Sequence, residues 1–474
     1  MRKRYSWLLL VVAMALVAAA CGNGAEETTT TAGDTAATTT TAGADATTTT
    51  VVHTDDDDDH ADDMVDELVT GEGVDAEAKV INIGMLADLT GLFAPLVIDI
   101  TDAQSVYWDI LNAAGGIDGW TVNLIIEDTN YNVEQHIEKY EKIRSQVIAI
   151  SQSTGSPTNV ATLDLYKEDS MLVMPLSWYS GWAIPEFDDG LMLEQNSNYC
   201  LEAMNILDFI NEMGGKTIAI ATFPGDYGHD AAAGVRIGIE YYGMELVYDG
   251  EGAVIPGQDQ TPVIQGIVAS GADWTFLTTN PSIGAGILAG AVQAGYQGLF
   301  TGSVPTYNFG LLDSAAGPLY SAVFYQSAYS VGWGVDTPGN NEMREAMAEA
   351  FPGRRPSDSF AIGWNQAITM HEVLAAAIAN GNLTREGVVE AANNLTDIDF
   401  GGSAPVQSYA GTPNDYVQRT LAIMKPDLAL YTAAGGAAQT LSQADGTTGS
   451  VVVKDFFVGA AAAEFDFTEA CYEL

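Results

Sequence analysis

From Lys79 onward the chain repeats one local unit, an apolar strand followed by an amphipathic helix. This rhythm limits the possible folds more than any other feature. "KVINIGML" (79–86) carries Val80, Ile81, Ile83, Met85 and Leu86 between polar residues, as a buried strand does. Apolar residues then recur at helical spacing from Val97 to Asn112, through Ile100, Ala103, Val106, Tyr107, Ile110 and Leu111. Gly115 and Gly116 predict the stop, because glycine accepts the left-handed cap. "WTVNLIIED" reads as a strand, "NVEQHIEKYEKI" as a helix and "QVIAIS" as a third strand. The order resumes at "KTIAIAT", with further strands at "MELVYDG" and "WTFLTTN". Helices follow at "HDAAAGVRIGIEYYG", "TPVIQGIVASG" and "IGAGILAGAVQAG". Such alternation predicts an α/β fold, with parallel sheets covered by helices. Two runs of it predict two lobes. Ligands of open parallel sheets lie beyond the carboxyl ends of the strands, so the loops after the strands are where a site is expected.

The loop "STGSPTNVA" has the strongest chemistry. Ser156 falls where a helix N-cap belongs, and Pro157 suits the first turn. Free N–H groups and the positive helix end then favour a carboxylate. Thr158 adds a hydroxyl. "PLSWYSGW" follows the next strand, which places Ser177, Trp178, Tyr179 and Trp182 at the same cleft. Their rings suit an alkyl or planar ligand. In the second run, Asp226 and Tyr227 sit in "GDYGHD" on a loop after a strand. Thr279 and Asn280 end another strand, and Tyr307 and Asn308 follow "TGSVP". His136 reads as a packed core histidine and His229 as a surface residue near Tyr227. "GAGILAG" (284–290) approximates a dinucleotide fingerprint with its last glycine one residue late, and helix packing explains it better. Gly-x-Ser-x-Gly and His-Glu-x-x-His are both absent from the sequence. The expectation is a binding protein and not an enzyme, with no metal and no cofactor.

At "INIGMLADLTGLFAP", "LNAAGGIDGWTVNLIIEDTNYN" and "GDYGHDAAAGV" the chain resembles type I periplasmic binding proteins. More narrowly it resembles the branched-chain amino-acid (Leu/Ile/Val-binding) group, which delivers ligands to ABC transporters. The likeness runs from about residue 79 to about 425. It implies two Rossmann-like lobes joined by a three-crossing hinge and closing on a small ligand. Lobe 1 would comprise 79–197 plus 328–405, and lobe 2 would comprise 198–327 plus 406–474 with a C-terminal extension. The crossings would fall near Asn196–Tyr199, Gln326–Tyr329 and Gly401–Tyr416. By the same resemblance Ser156 holds the ligand carboxylate, residues 176–178 supply backbone and hydroxyl contacts, and Tyr227 touches the ligand. Phe360 and Trp364 lie near a position where the family uses an aromatic. Three departures stand out. No carboxylate occurs near Val304, where the family pairs an acid with the ligand's α-ammonium. The family's tyrosine is missing at Thr279, and the first-loop tyrosine is replaced by Leu96. A buried ammonium without an anion is costly. Either Asp226 takes that role or the ligand is not an ordinary α-amino acid. A small amide, a urea-like molecule or an aromatic or aliphatic carboxylate fits as well. The lack of arginine in these loops weighs against a phosphorylated ligand.

The N-terminus bears on location. Arg2, Lys3 and Arg4 precede the apolar run Tyr5–Ala20, the pattern of a signal peptide over 1–20. "AAAC" resembles a bacterial lipobox, which makes Cys21 a lipid anchor on the outer face of the cytoplasmic membrane. Residues 21–78, rich in Thr and Ala and then in Asp between His53 and His60, read as a disordered linker. The formal charge is −46, and removal of residues 1–20 takes away three cations and no acid, leaving −49. Nucleic-acid binding is thereby excluded, since phosphate contact needs clustered Lys and Arg. Cys200 and Cys471 are available for one disulfide in an oxidising compartment. The expected partners are a small molecule and an ABC permease and ATPase complex, with the chain a monomer. A membrane-tethered ligand sensor of the same fold is the alternative.

Overall fold

The computed structural model describes residues 68–443 and 445–474. The signal peptide, Cys21 and the acidic run lie outside them.

The strand Val80–Ala87 anchors the first sheet. It runs parallel to Thr121–Asp128 on one side and to Ala149–Thr154 on the other, with Leu172–Leu176 beyond. Its residues are apolar on both faces because both faces are covered. Ile81 and Ile83 pack toward the helix Ser359–Ala379, while Leu86 joins Tyr140, Ile150 and Tyr166. Residues 68–78, assigned by sequence to the linker, carry two short strands. Val69–Thr70 pairs with Asn382–Leu383, and Val74–Asp75 pairs with the start of Val80–Ala87. Leu68 and Val74 pack against the core, so this piece has apolar surface that order can bury.

The second sheet is also parallel, in the order Leu299–Gly302, Trp274–Thr278, Thr217–Thr222 and Glu245–Gly250. The helices Tyr199–Glu212 and Asp226–Tyr242 cover it in close contact. A Cβ on Gly234 would fall 2.2 Å from the Cys200 carbonyl oxygen, and one on Gly238 would fall 2.7 Å from Leu207 Cβ. The helix Asp226–Tyr242 begins one turn before its periodicity predicts, so Asp226 and Tyr227 are its first residues and not loop residues.

The chain passes between the sheets through residues 177–198, leaves the second sheet through Gln326–Ala328, and returns before Leu421–Pro426. The last two strands pair antiparallel, and Ser450–Phe457 adds a third. The residues after 425 therefore close over the joining segments. The helix Ala460–Glu464 packs on Tyr199–Glu212, and a disulfide ties Cys471 to Cys200 with Cα atoms 6.3 Å apart. The Tyr179 hydroxyl donates to the Tyr472 carbonyl oxygen at 2.7 Å, which lays the tail across the first joining segment. Among the described residues no helix is long and apolar enough to cross a membrane.

Candidate functional site

The carboxyl ends of the two parallel sheets face a common cleft. Thr154 and Leu176, at the ends of first-sheet strands, reach it from one side, and Val304, just after a second-sheet strand, reaches it from the other. Its free volume is about 70 Å³ with the walls in this position.

The first lobe presents Gly155 and Ser156 at the start of the helix Ser156–Glu168. The N-cap is Gly155, at φ 102°, and Ser156 is the first helical residue. This corrects the expected cap by one position. The reason is steric, since a Cβ on Gly155 would fall 2.7 Å from the Tyr131 ring and 2.8 Å from Thr158 Oγ1. Ser156 Oγ lies 2.5 Å from Ser177 Oγ, so one of these hydroxyls donates to the other. Tyr131 lines the wall with φ at +50°, an uncommon conformation for a bulky residue.

The remaining walls are aromatic and aliphatic. Phe93 packs against Tyr131 with ring centroids 4.8 Å apart, and Tyr199 against Tyr227 at 4.7 Å, both pairs tilted. Trp178 lies 4.9 Å from Tyr329, with its indole N–H donated to the Gln195 carbonyl oxygen at 2.6 Å. Tyr307, Ile362 and Met424 complete the surface. The Tyr307 hydroxyl is buried without a partner. Among the lining residues the charged side chain is Asp358, and its carboxylate is already engaged. It accepts from Trp333 N at 2.7 Å, Thr448 Oγ1 at 2.8 Å and Ser450 Oγ at 2.6 Å.

Two asparagines close the rim. Asn280 Nδ2 donates to the Leu92 carbonyl oxygen at 3.1 Å, and Asn308 Nδ2 to that of Pro95 at 3.1 Å. Each also caps its own helical turn through Oδ1, on Ile283 N and Gly310 N respectively.

Of the residues singled out from sequence, Ser156, Trp178, Tyr227, Tyr307 and Asn308 line the cleft. Others support it from behind. Ser177 holds Ser156. Thr158 Oγ1 donates back to the Thr154 and Gly155 carbonyl oxygens. Thr279 Oγ1 donates to the Asn280 carbonyl oxygen, and Thr279 O accepts from the Tyr227 hydroxyl at 3.0 Å. Asp226 is buried beside Ser156, with one carboxyl oxygen unpartnered. Burial pushes its carboxyl up to about 6, against the pull of the Ser156 hydroxyl. Three aromatics point elsewhere. Tyr179 and Trp182 pack together within the first lobe at 5.3 Å. Phe360 packs on Trp333 and under Arg354 in a separate core that also holds Trp364. One helical step moves Phe360 away while its neighbours Asp358, Ser359 and Ile362 reach the cleft. His136 is a core residue against Tyr166 and Ser153, and His229 stacks on Tyr472.

Sequence reasoning missed Phe93, Tyr131, Tyr199 and Tyr329. Tyr131 was the most legible, because it follows the strand end at Asp128. Tyr199 and Tyr329 sit in the joining segments, where no periodicity marks an inward side chain. The position near Val304 is served from behind. The buried Glu202 accepts from Val304 N at 2.8 Å, Ser327 Oγ at 2.6 Å and the Tyr329 hydroxyl at 3.1 Å. Its carboxyl does not line the cleft. Burial pushes it up to about 8, and its two oxygens are taken up by these three donors, not by the cleft.

Two parallel-sheet lobes, three joining segments and a cleft at the strand ends define the type I solute-binding fold. A model of the periplasmic binding protein family matches residues 80–465. The chain belongs to that family, which comprises binding proteins and not enzymes. Among curated proteins no sequence matches it significantly. Solved structures do. A fatty acid ABC transporter substrate-binding protein from Thermomonospora curvata is 24% identical, with TM-score 0.73, covering 84% of this chain and 97% of its own. A branched-chain amino-acid ABC transporter protein from Thermus thermophilus with bound valine is 18% identical, with TM-score 0.66 and coverage of 81% and 97%. A solute-binding protein from R. palustris in complex with 4-hydroxybenzoate is 14% identical, with TM-score 0.64 and coverage of 80% and 97%. At these identities the likeness is one of fold.

Proposed function

We propose that the chain is the extracytoplasmic solute-binding protein of an ABC importer, and that it captures a small carboxylate with an apolar body by closure of its lobes. The carrying observation is the cleft wall. It is aromatic and aliphatic, its one charged side chain is already satisfied, and it holds a helix N-terminus at Ser156. The first-turn N–H groups suit a carboxylate, and the rings suit an alkyl or aryl remainder. The relatives described as handling a fatty acid and 4-hydroxybenzoate fit this chemistry better than the one holding valine. Ser156, Trp178, Tyr227 and Tyr307 are the contacts, with lobe 1 as 79–197 plus 328–405, extended by the paired residues 68–78, and lobe 2 as 198–327 plus 406–474. A sensor role has no observation in its favour. The Thr/Ala-rich segment after Cys21 serves as a tether, with the lipid on Cys21 holding a monomer near its permease.

A screen of tryptophan fluorescence and melting temperature across short and medium fatty acids, benzoates, amino acids and amides tests the ligand class. Aliphatic or aromatic carboxylates should quench or shift Trp178 emission and raise the melting temperature. A response confined to zwitterionic amino acids would reject the class. Cys21→Ser should release the protein from the membrane fraction; a variant still retained there refutes the tether.

A further inference from the structure

We propose that a second cavity, beside the segments joining the lobes, binds a small organic ammonium ion. It is walled by Trp182, Asp188, Glu194, Tyr409 and Tyr416, from the first and third joining segments. Its volume of about 240 Å³ is far more than a bare ion fills.

The polar groups in its wall are incomplete. Asp188 is 1% exposed, and its Oδ1 accepts from Gly190 N at 2.8 Å, while Oδ2 has no partner. Glu194 is 9% exposed, with Oε1 unpartnered, and the buried Tyr409 hydroxyl is unpartnered too. Two buried carboxyls, each with an oxygen left unpartnered, are costly unless a cation satisfies them. Among the described residues none of the walls is basic. Lys167 is in electrostatic range of Asp188, but its ammonium donates to the Phe187 carbonyl oxygen at 2.6 Å. The described residues also hold no cluster of three or more acidic, His or Cys groups that suits a metal. Trp182, Tyr409 and Tyr416 supply ring faces for an alkyl stem or an ammonium head. Carboxyls paired with rings select an organic amine over a hard metal ion.

The two cavities are physically joined. Trp182 Nε1 donates to Ser177 Oγ at 3.1 Å, and Ser177 meets Ser156 in the cleft wall. Gln195, next to Glu194, accepts from the cleft residue Trp178 through its carbonyl. An amine here therefore bears on both the hinge and the cleft, whatever the cleft holds.

Burial pushes Asp188 up to about 8 and Glu194 well above its ordinary value. Lys167 opposes the shift at Asp188, Asp189 adds to it, and Asp230 adds to that of Glu194. A bound ammonium favours the ionised carboxyls, so binding releases protons and tightens as pH rises.

Calorimetric titration of the intact protein with butylammonium and 1,4-diaminobutane tests the site, with 1-butanol and calcium chloride as controls. Saturable amine binding is expected, with a heat that depends on the buffer's ionisation enthalpy because protons leave. Glu194→Gln and Asp188→Asn should each weaken it about tenfold, as loss of a charged hydrogen-bond partner does. The buffer dependence is read on the unaltered protein, so it holds even where a variant fails to fold. No saturable amine binding, heats independent of buffer, affinity unchanged in both folded variants, or binding of calcium but not of amines would each overturn the proposal.

Discussion

Burial decides what each carboxyl in this molecule does. Glu202 is wholly enclosed, and burial pushes it to about 8 despite three donors. Asp226 is enclosed beside Ser156 and shifts only to about 6, so it ionises across the neutral range. An ionised Asp226 repels a ligand carboxylate held at Ser156. Carboxylate affinity should therefore fall as pH rises from about 6 to about 8, and Asp226→Asn should abolish that fall. Titrations at two pH values check it. If the ligand carries an ammonium, the same variant weakens binding instead, which makes Asp226→Asn the sharpest single test of ligand charge. At this scale the sequence was partly legible. Ser156 and Tyr227 were found because they follow strand ends. Tyr179 and Phe360 were not separable from true wall residues, because side-chain direction in irregular segments and at helix starts depends on packing.

The elements explain how the cleft shuts. Asn280 and Asn308 each cap a turn with one atom of the amide and bridge with the other to Leu92, in the loop after the first sheet's central strand, and to Pro95, at the start of the following helix. Aspartate at both positions keeps the caps and removes the donors. Asn280→Asp with Asn308→Asp should weaken ligand binding by about 1–3 kcal/mol, from two lost hydrogen bonds, with melting temperature little changed. Unaltered affinity in that double variant would show that the bridges do not hold the closed state. The six strands and five helices read from periodicity all form, with starts off by one turn or less at Asp226–Tyr242 and Pro281–Gln293, while the helices Tyr199–Glu212, Pro338–Ala350 and Ser359–Ala379 went unread. The bridges were not readable, since an asparagine after a strand looks the same whether it caps, crosses a cleft or does both.

For the whole molecule, several buried acids act in one direction. Asp188 and Glu202 sit at about 8, Asp230 at about 7 and Asp226 at about 6, all raised chiefly by burial. Between about 4.5 and 8 the folded state binds more protons than the unfolded chain, so stability falls as pH rises through that window. His136, lowered by burial to about 3, and His371, also lowered by burial, act the opposite way below their ordinary value, but they stand against four acids. The net charge of −46 adds self-repulsion with the same sign at high pH. Urea midpoints should drop from about pH 5 to about pH 8, and Glu202→Gln should flatten part of the slope. A midpoint that climbs across this range would contradict the protonated state of these groups.

The sequence by itself determined the alternation of strands and helices, the parallel sheets and the placement of a site at strand ends. These follow from local periodicity and turn chemistry, which each short segment carries on its own. Tertiary structure alone decided which aromatics face the cleft, where the tail after residue 425 lies, and that Asp188 and Glu194 share a second cavity. Those outcomes depend on how segments hundreds of residues apart approach one another. Burial, and with it charge state and partner, exists only once they have done so.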